Sequence, residues 1–171
     1  MIVLGIDPGL ANTGFGVVKR GRQALGDAAL AAVAAGVIET PGGAAQERRL
    51  AEIESAVDGL LEEYRPDSVA LEELYFGQNV RTAFAVGHAR GVAMAAAGRR
   101  GVPCASYTPQ KIKGAVCGSG RAGKDQVARM VKALLGLGEH PRPDHAADAL
   151  AVAVCHANCA PLSSALSRAL G

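Results

Sequence analysis

The chain opens on MIVLGIDPGLANTG, and this stretch limits the possible folds more than any other. Ile, Val and Leu make residues 2–7 a strand of the kind that lies inside a sheet, yet the strand ends on Asp7, where Pro8 and Gly9 turn the chain. An ionised carboxylate delivered to the end of a buried strand needs a partner. The next two apolar stretches, TGFGVVKR (13–20) and LAAVAAGVIE (30–39), read as further strands, the first joined to its predecessor by a glycine-containing turn, so the three form a meander.

Beyond the meander the period changes. Leu50, Ile53, Val57, Leu60, Leu61 and Tyr64 recur at helical spacing through a charged segment that Pro66 ends. SVALEEL returns as a strand whose alternation puts Glu72 on the face of Ala70 and Glu73 on the other. A helix over about 79–98, with Asn79 as candidate cap, carries Gly87, Gly91 and Ala95 at intervals of four. That smooth strip suits either close packing on the sheet or pairing with a second copy across a two-fold axis. PCASY (103–107) makes another short strand. TPQKIKGAV reads as a poor buried strand, and after a glycine-rich loop a helix carries Val127, Met130, Val131, Leu134 and Leu135. A last helix starts near Asp144, with Asp144 placed to cap it. Strands in a run, then strands alternating with helices, predict an α/β domain with a mixed sheet and helices on its faces.

At 171 residues and 49% hydrophobic, the chain holds one sizeable core. One domain is expected over 1–160, with 161–171 as a flexible C-terminal tail. No basic leader or small-residue cleavage site opens the chain. The most apolar candidate span, GVAMAAAG, is far shorter than the ~18 residues a membrane crossing needs. A cytoplasmic protein is expected. Cys104, Cys117, Cys155 and Cys159 lack CxxC spacing and read as buried free thiols rather than a zinc site or disulfide framework.

Net charge is only +2, but it is unevenly spread. Residues 46–73 are acidic, whereas from Pro109 to Lys132 the cations Lys111, Lys113, Arg121, Lys124, Arg129 and Lys132 face Asp125 alone, which offers a polyanion a binding segment. Gly118, Gly120 and Gly123 match GxGxxG, and Gly118 to Lys124 match most of a phosphate-binding loop. Asp125, however, stands where a metal-holding hydroxyl belongs, and no second strand follows the helix. A nucleotide cofactor is therefore not expected. A glycine-rich loop with Arg121 and Lys124 opening onto a helix suits the phosphates of a nucleic-acid backbone instead.

Carboxylates occur where the apolar pattern predicts none: Asp7, Glu72, and Asp148 inside AADALAVAV, with His145 three residues before Asp148 on the same helical face. If the first and fourth strands are neighbours, these groups converge. Like charges so placed either raise a pKa or take up a divalent cation, and hard oxygen donors favour Mg²⁺ or Mn²⁺. Two such ions at one site are an arrangement for phosphodiester hydrolysis.

These residues carry a resemblance. Over nearly its whole length the chain resembles the RuvC family of bacterial Holliday junction resolvases, on GIDPGLANTGFGVV, LEELYFGQN, GHARGVAMAAA, KIKGAVCGSGRAGKDQV and HAADALAVA, in the family's order and spacing. The resemblance implies a ribonuclease H-like fold with a five-stranded mixed sheet and helices on both faces. It implies a homodimer that uses divalent metal to nick a four-way DNA junction symmetrically in recombination and repair, with a RuvA–RuvB branch-migration complex as a candidate partner. By motif it assigns Asp7, Glu72, His145 and Asp148 as the catalytic and metal-binding set. His145 stands where many members carry Asp, which leaves ligand and base as alternative roles for it. Tyr75 matches an aromatic thought to stack on a base at the junction centre, Lys113 and Lys124 match lysines near the scissile phosphate, and Arg81 is a backbone contact. Three other readings compete: an actin-like ATPase, which would need a second lobe; a related nuclease acting on RNA or simple duplex; and a junction-binding protein that does not cut.

Overall fold

The computed structural model describes residues 1–21, 30–73 and 80–169. The three opening strands form as expected, β1 at Ile2–Asp7, β2 at Asn12–Arg20 and β3 at Leu30–Glu39, each antiparallel to the one before. The turn after Asp7 is tied by the buried Thr13, whose hydroxyl donates to the Gly9 carbonyl at 2.6 Å. α1 spans Gln46–Tyr64 and ends on Arg65 in the left-handed region, one residue before Pro66. The chain then enters β4, Ser68–Glu72, which lies parallel to β1. α2 covers Val80–Arg99, and β5, Cys104–Tyr107, adds in parallel beyond β4. The sheet order β3-β2-β1-β4-β5 is that of the expected ribonuclease H-like fold.

Alternation along the strands divides the core in two. Leu4, Ile6, Val17, Val69 and Leu71 face α1 and α2, where Ile53, Val57, Leu61, Ala89, Ala93, Ala96 and Ala97 bury against them. Val3, Val18 and Ala70 face the other way, toward α3 (Pro109–Cys117), α4 (Lys124–Leu134) and α5 (Asp144–Ala169). From Ala149 to Cys155 every residue of α5 is buried, because the helix runs between the sheet and the α3–α4 pair. A helix apolar on all sides is stable only when enclosed in this way.

TPQKIKGAV, poor as a buried strand by its sequence, is indeed none and forms a helix: Thr108 accepts a hydrogen bond from the Lys111 amide and Pro109 takes the first helical position, which starts α3. Several expectations are corrected. Asp144 does not cap α5, whose first amide bonds, from Ala146 and Ala147, go to the Pro143 carbonyl. The cysteines are free, but only Cys155 is buried, and Cys104, on the edge strand, is exposed. Of the small-residue strip on α2, Gly91 and Ala95 are exposed, since the helix turns Ala89, Ala93, Ala96 and Ala97 to the sheet. α5 runs to Ala169, and its side chains from Pro161 onward lie outside the described residues. Gly118 to Gly123 link two helices, so neither glycine-rich match has the preceding strand it requires. Among the described residues no helix is long and apolar enough to cross a membrane.

Candidate active site

β1 and β4 are paired through Val3–Ser68 to Ile6–Leu71, so their C-terminal residues, Asp7 and Glu72, end side by side. Both continue the face of Val3 and Ala70 and therefore point toward α5. The sequence also explains how closely α5 approaches. A Cβ at Gly5 would fall 2.1 Å from the Ala149 carbonyl oxygen, and one at Gly14, the β2 partner of Asp7, would fall 2.0 Å from that of His145. Only glycine at these two positions lets the helix backbone press onto the sheet backbone. That contact sets the first turns of α5 over the end of β1.

As a result His145 Nδ1 bonds Asp7 Oδ2 at 2.7 Å. The carboxylate holds the imidazole through Nδ1, and among the described residues Nε2 has no partner. One turn on, half-buried Asp148 lines a cleft of about 250 Å³ together with Glu72, Lys113 and Lys124, floored by Pro109, Ile112, Val127, Ala151 and Val152. Lys124 Nζ lies 3.1 Å from Asp144 Oδ2 and 3.5 Å from Asp148 Oδ2. α3 supplies Lys113 and α4 supplies Lys124, so the two lysines converge from separate helices.

The electrostatics of the cleft are those of a site short of positive charge. Burial, reinforced by the charges of Asp7 and Asp148, pushes the Glu72 carboxyl up to about 7, and Lys113 opposes the rise. Burial likewise raises Asp148, against the pull of Lys124 and with Asp7 adding to it. A cation among these oxygens would reverse both effects.

Of the residues singled out from sequence, Asp7, Glu72, His145, Asp148, Lys113 and Lys124 come together. Lys111 and Arg121 are exposed and do not line this cleft. Tyr75 lies outside the described residues, as does the side chain of Arg81. Sequence reasoning missed Asp144 as a partner of Lys124. It also missed an adjoining cleft of about 410 Å³ where Arg129, His140 and Arg142 meet Lys124 and Asp148. Lys124 and Arg129 were visible among the cations of one segment, but nothing in sequence brings the loop at 140–142 to them.

The family model described as "Crossover junction endodeoxyribonuclease RuvC" matches residues 3–156. The chain belongs to the RuvC family. The RuvC of Moorella thermoacetica is 52% identical over 162 residues, covering 94% of this chain and 93% of the relative. The RuvC structure from Thermus thermophilus superposes with a TM-score of 0.88 at 39% identity, covering 95% of this chain and 97% of that one. The same RuvC in complex with Holliday junction substrate gives a TM-score of 0.88 at 40% identity, covering 95% and 96%. Sheet and helices are thus those of a RuvC fold along nearly the whole chain.

Proposed function

We propose that the chain resolves four-way DNA junctions by metal-dependent hydrolysis of paired phosphodiesters, with Asp7, Glu72, His145 and Asp148 as its catalytic set. RuvC enzymes are metal-dependent nucleases. The observation that carries the assignment is the approach of three carboxylates: Glu72 of β4 and Asp148 of α5 line one cleft with two lysines, and the charge of Asp7 at the end of β1 acts on both.

The donor set fits a hard divalent ion. Among the described residues no three acidic, imidazole or thiol side chains form a ready-made cage. Mg²⁺ does not need one, since it is held by one or two carboxylates, waters and substrate phosphate. Asp7, Glu72 and Asp148 would hold Mg²⁺ or Mn²⁺, two ions by the family resemblance. When bound, the metal supplies activation of the attacking water and stabilisation of the leaving oxygen.

The chain's own groups divide the remaining work. Asp7 orients His145 through Nδ1, so that Nε2 is the nitrogen that can ligate or accept a proton from water. Lys113 and Lys124, both lining the cleft, are placed to offset charge developing on the scissile phosphate. Lys111 and Arg121, both exposed, extend the cationic surface along the DNA backbone, as does Arg81 by resemblance. Tyr75, in the segment that follows β4, is assigned to stacking on a junction base.

Symmetric nicking needs two such sites, and the proposal includes a homodimer. The exposed Gly91 and Ala95 with the exposed Phe84 on α2 support it, because they offer a smooth face free of the sheet. Action in the cytoplasm with a RuvA–RuvB branch-migration complex completes the reading.

The test is cleavage of a labelled mobile four-way junction beside matched linear duplex and RNA hybrid, in Mg²⁺, Mn²⁺ or chelator, with Asp7→Asn in parallel. Symmetric junction nicks that need metal and vanish in Asp7→Asn, with binding retained, are expected. Equal cutting of linear duplex would point to a general nuclease, and binding without cuts to a junction-binding protein.

A further inference from the structure

Asp144 opens α5 without capping it. The first helical bonds, from the Ala146 and Ala147 amides, run to the Pro143 carbonyl, so Asp144 sits one residue inside the helix rather than at its cap. The Asp144 carboxylate takes the Lys124 ammonium at 3.1 Å, while the same nitrogen lies 3.5 Å from Asp148. One ammonium is shared between an outward carboxylate, 78% exposed, and the half-buried one assigned to metal, 34% exposed.

A divalent cation arriving at Asp148 competes with Lys124 for that carboxylate and repels its ammonium at this range. Were Asp148 its sole partner, Lys124 would have to leave for solvent on its flexible stem. With Asp144 as the shorter contact, it surrenders only the longer one and stays at the mouth of the cleft. We infer that Asp144 is a positioning residue, which retains Lys124 and takes over its ammonium when Asp148 turns to a cation. The inference rests on the reading of Asp148 as a metal-binding carboxylate.

Mn²⁺ binding to the full chain without DNA, followed by titration calorimetry, tests it. Asp144→Asn is expected to weaken Mn²⁺ binding about two- to fivefold, the reach of an exposed ion pair, and Asp144→Glu to restore most of the loss. In a Lys124→Gln background the effect of Asp144→Asn should shrink toward none, because no ammonium remains to be relocated. Equal losses in both backgrounds would overturn the inference, since Asp144 would then act as a bare charge. No loss in either would overturn it too. If Asp148→Asn abolishes binding while Asp144→Asn changes nothing, the inference alone fails. If the wild type does not bind Mn²⁺, or binds it equally after Asp7→Asn and Asp148→Asn, the metal reading fails and the inference falls with it.

Discussion

Gly14→Ala adds a single methyl group between β2 and α5, yet it should disable the site. The new Cβ would lie 2.0 Å from the His145 carbonyl oxygen, 2.5 Å from its carbon and 3.0 Å from its Cβ, whereas ordinary contact begins at 3.4 Å. Backbone atoms, unlike the end of a flexible side chain, cannot step aside alone. The first turn of α5 must therefore retreat by about 1.4 Å, the difference between 2.0 and 3.4 Å. The 2.7 Å bond from His145 to Asp7 then stretches beyond hydrogen-bond range. Asp148, one turn along, moves with it. Displacements of this size cost about 10²-fold in rate, and overpacking costs roughly 1–3 kcal/mol of stability. Single-turnover cleavage of a labelled four-way junction measures the first, and thermal melting the second, with junction binding in chelator as the control for DNA affinity. Gly59→Ala is the matched comparison: it sits in α1 with nothing within 4 Å of its would-be Cβ, and should be neutral or slightly stabilising. A folded Gly14→Ala protein that cuts within threefold of wild type would refute the reasoning.

Glu72 titrates at about 7 in the fold against 4.5 when free. Between these values the folded state binds more protons than the unfolded, so metal-free stability should fall as pH rises from about 4.5 to about 7 and level off above. Glu72→Gln should flatten that part of the curve and melt higher than wild type at pH 8 without metal; an unchanged slope would contradict it. Lys113 opposes the rise of the Glu72 pKa, so Lys113→Met should move the acid limb of the cleavage pH profile to higher pH, measured at saturating junction; a shift to lower pH would contradict it. His156 bonds the Ser68 hydroxyl through Nε2 and the Tyr107 hydroxyl through Nδ1, both at 2.8 Å, inside the fold. His156→Ala strands both hydroxyls and should cost about 1–3 kcal/mol in urea unfolding, and a loss under about 0.5 kcal/mol would argue against the network.

Much of this was legible because local chemistry and tertiary arrangement agree. Asp7 and Glu72 are out of place in their apolar strands, and only one another's company with Asp148 explains all three. The pairing of β1 with β4 had to be assumed from sequence, and the parallel register from Val3–Ser68 to Ile6–Leu71 supplies it. Less could be read where a residue has two honest uses. Asp144 has the chemistry of a cap, and whether it falls at the cap position or one residue inside the helix depends on the path of the preceding loop. The segment from Thr108 carries a Thr-Pro helix start, but its lysines drew attention to charge rather than to the cap. Gly5 and Gly14 lie within stretches that read simply as strands; that they are the surface on which α5 rests emerges only when helix and sheet are brought together. Tyr75 and the side chain of Arg81 lie outside the described residues.

The cation-binding cleft is tested most directly by crystals of the chain soaked in Mn²⁺ and measured for anomalous scattering. Manganese is expected among the oxygens of Asp7, Glu72 and Asp148, within about 2.5 Å of at least two of the three carboxylates. Manganese bound only elsewhere on the chain, with that cleft empty at concentrations that support cleavage, would contradict the central claim.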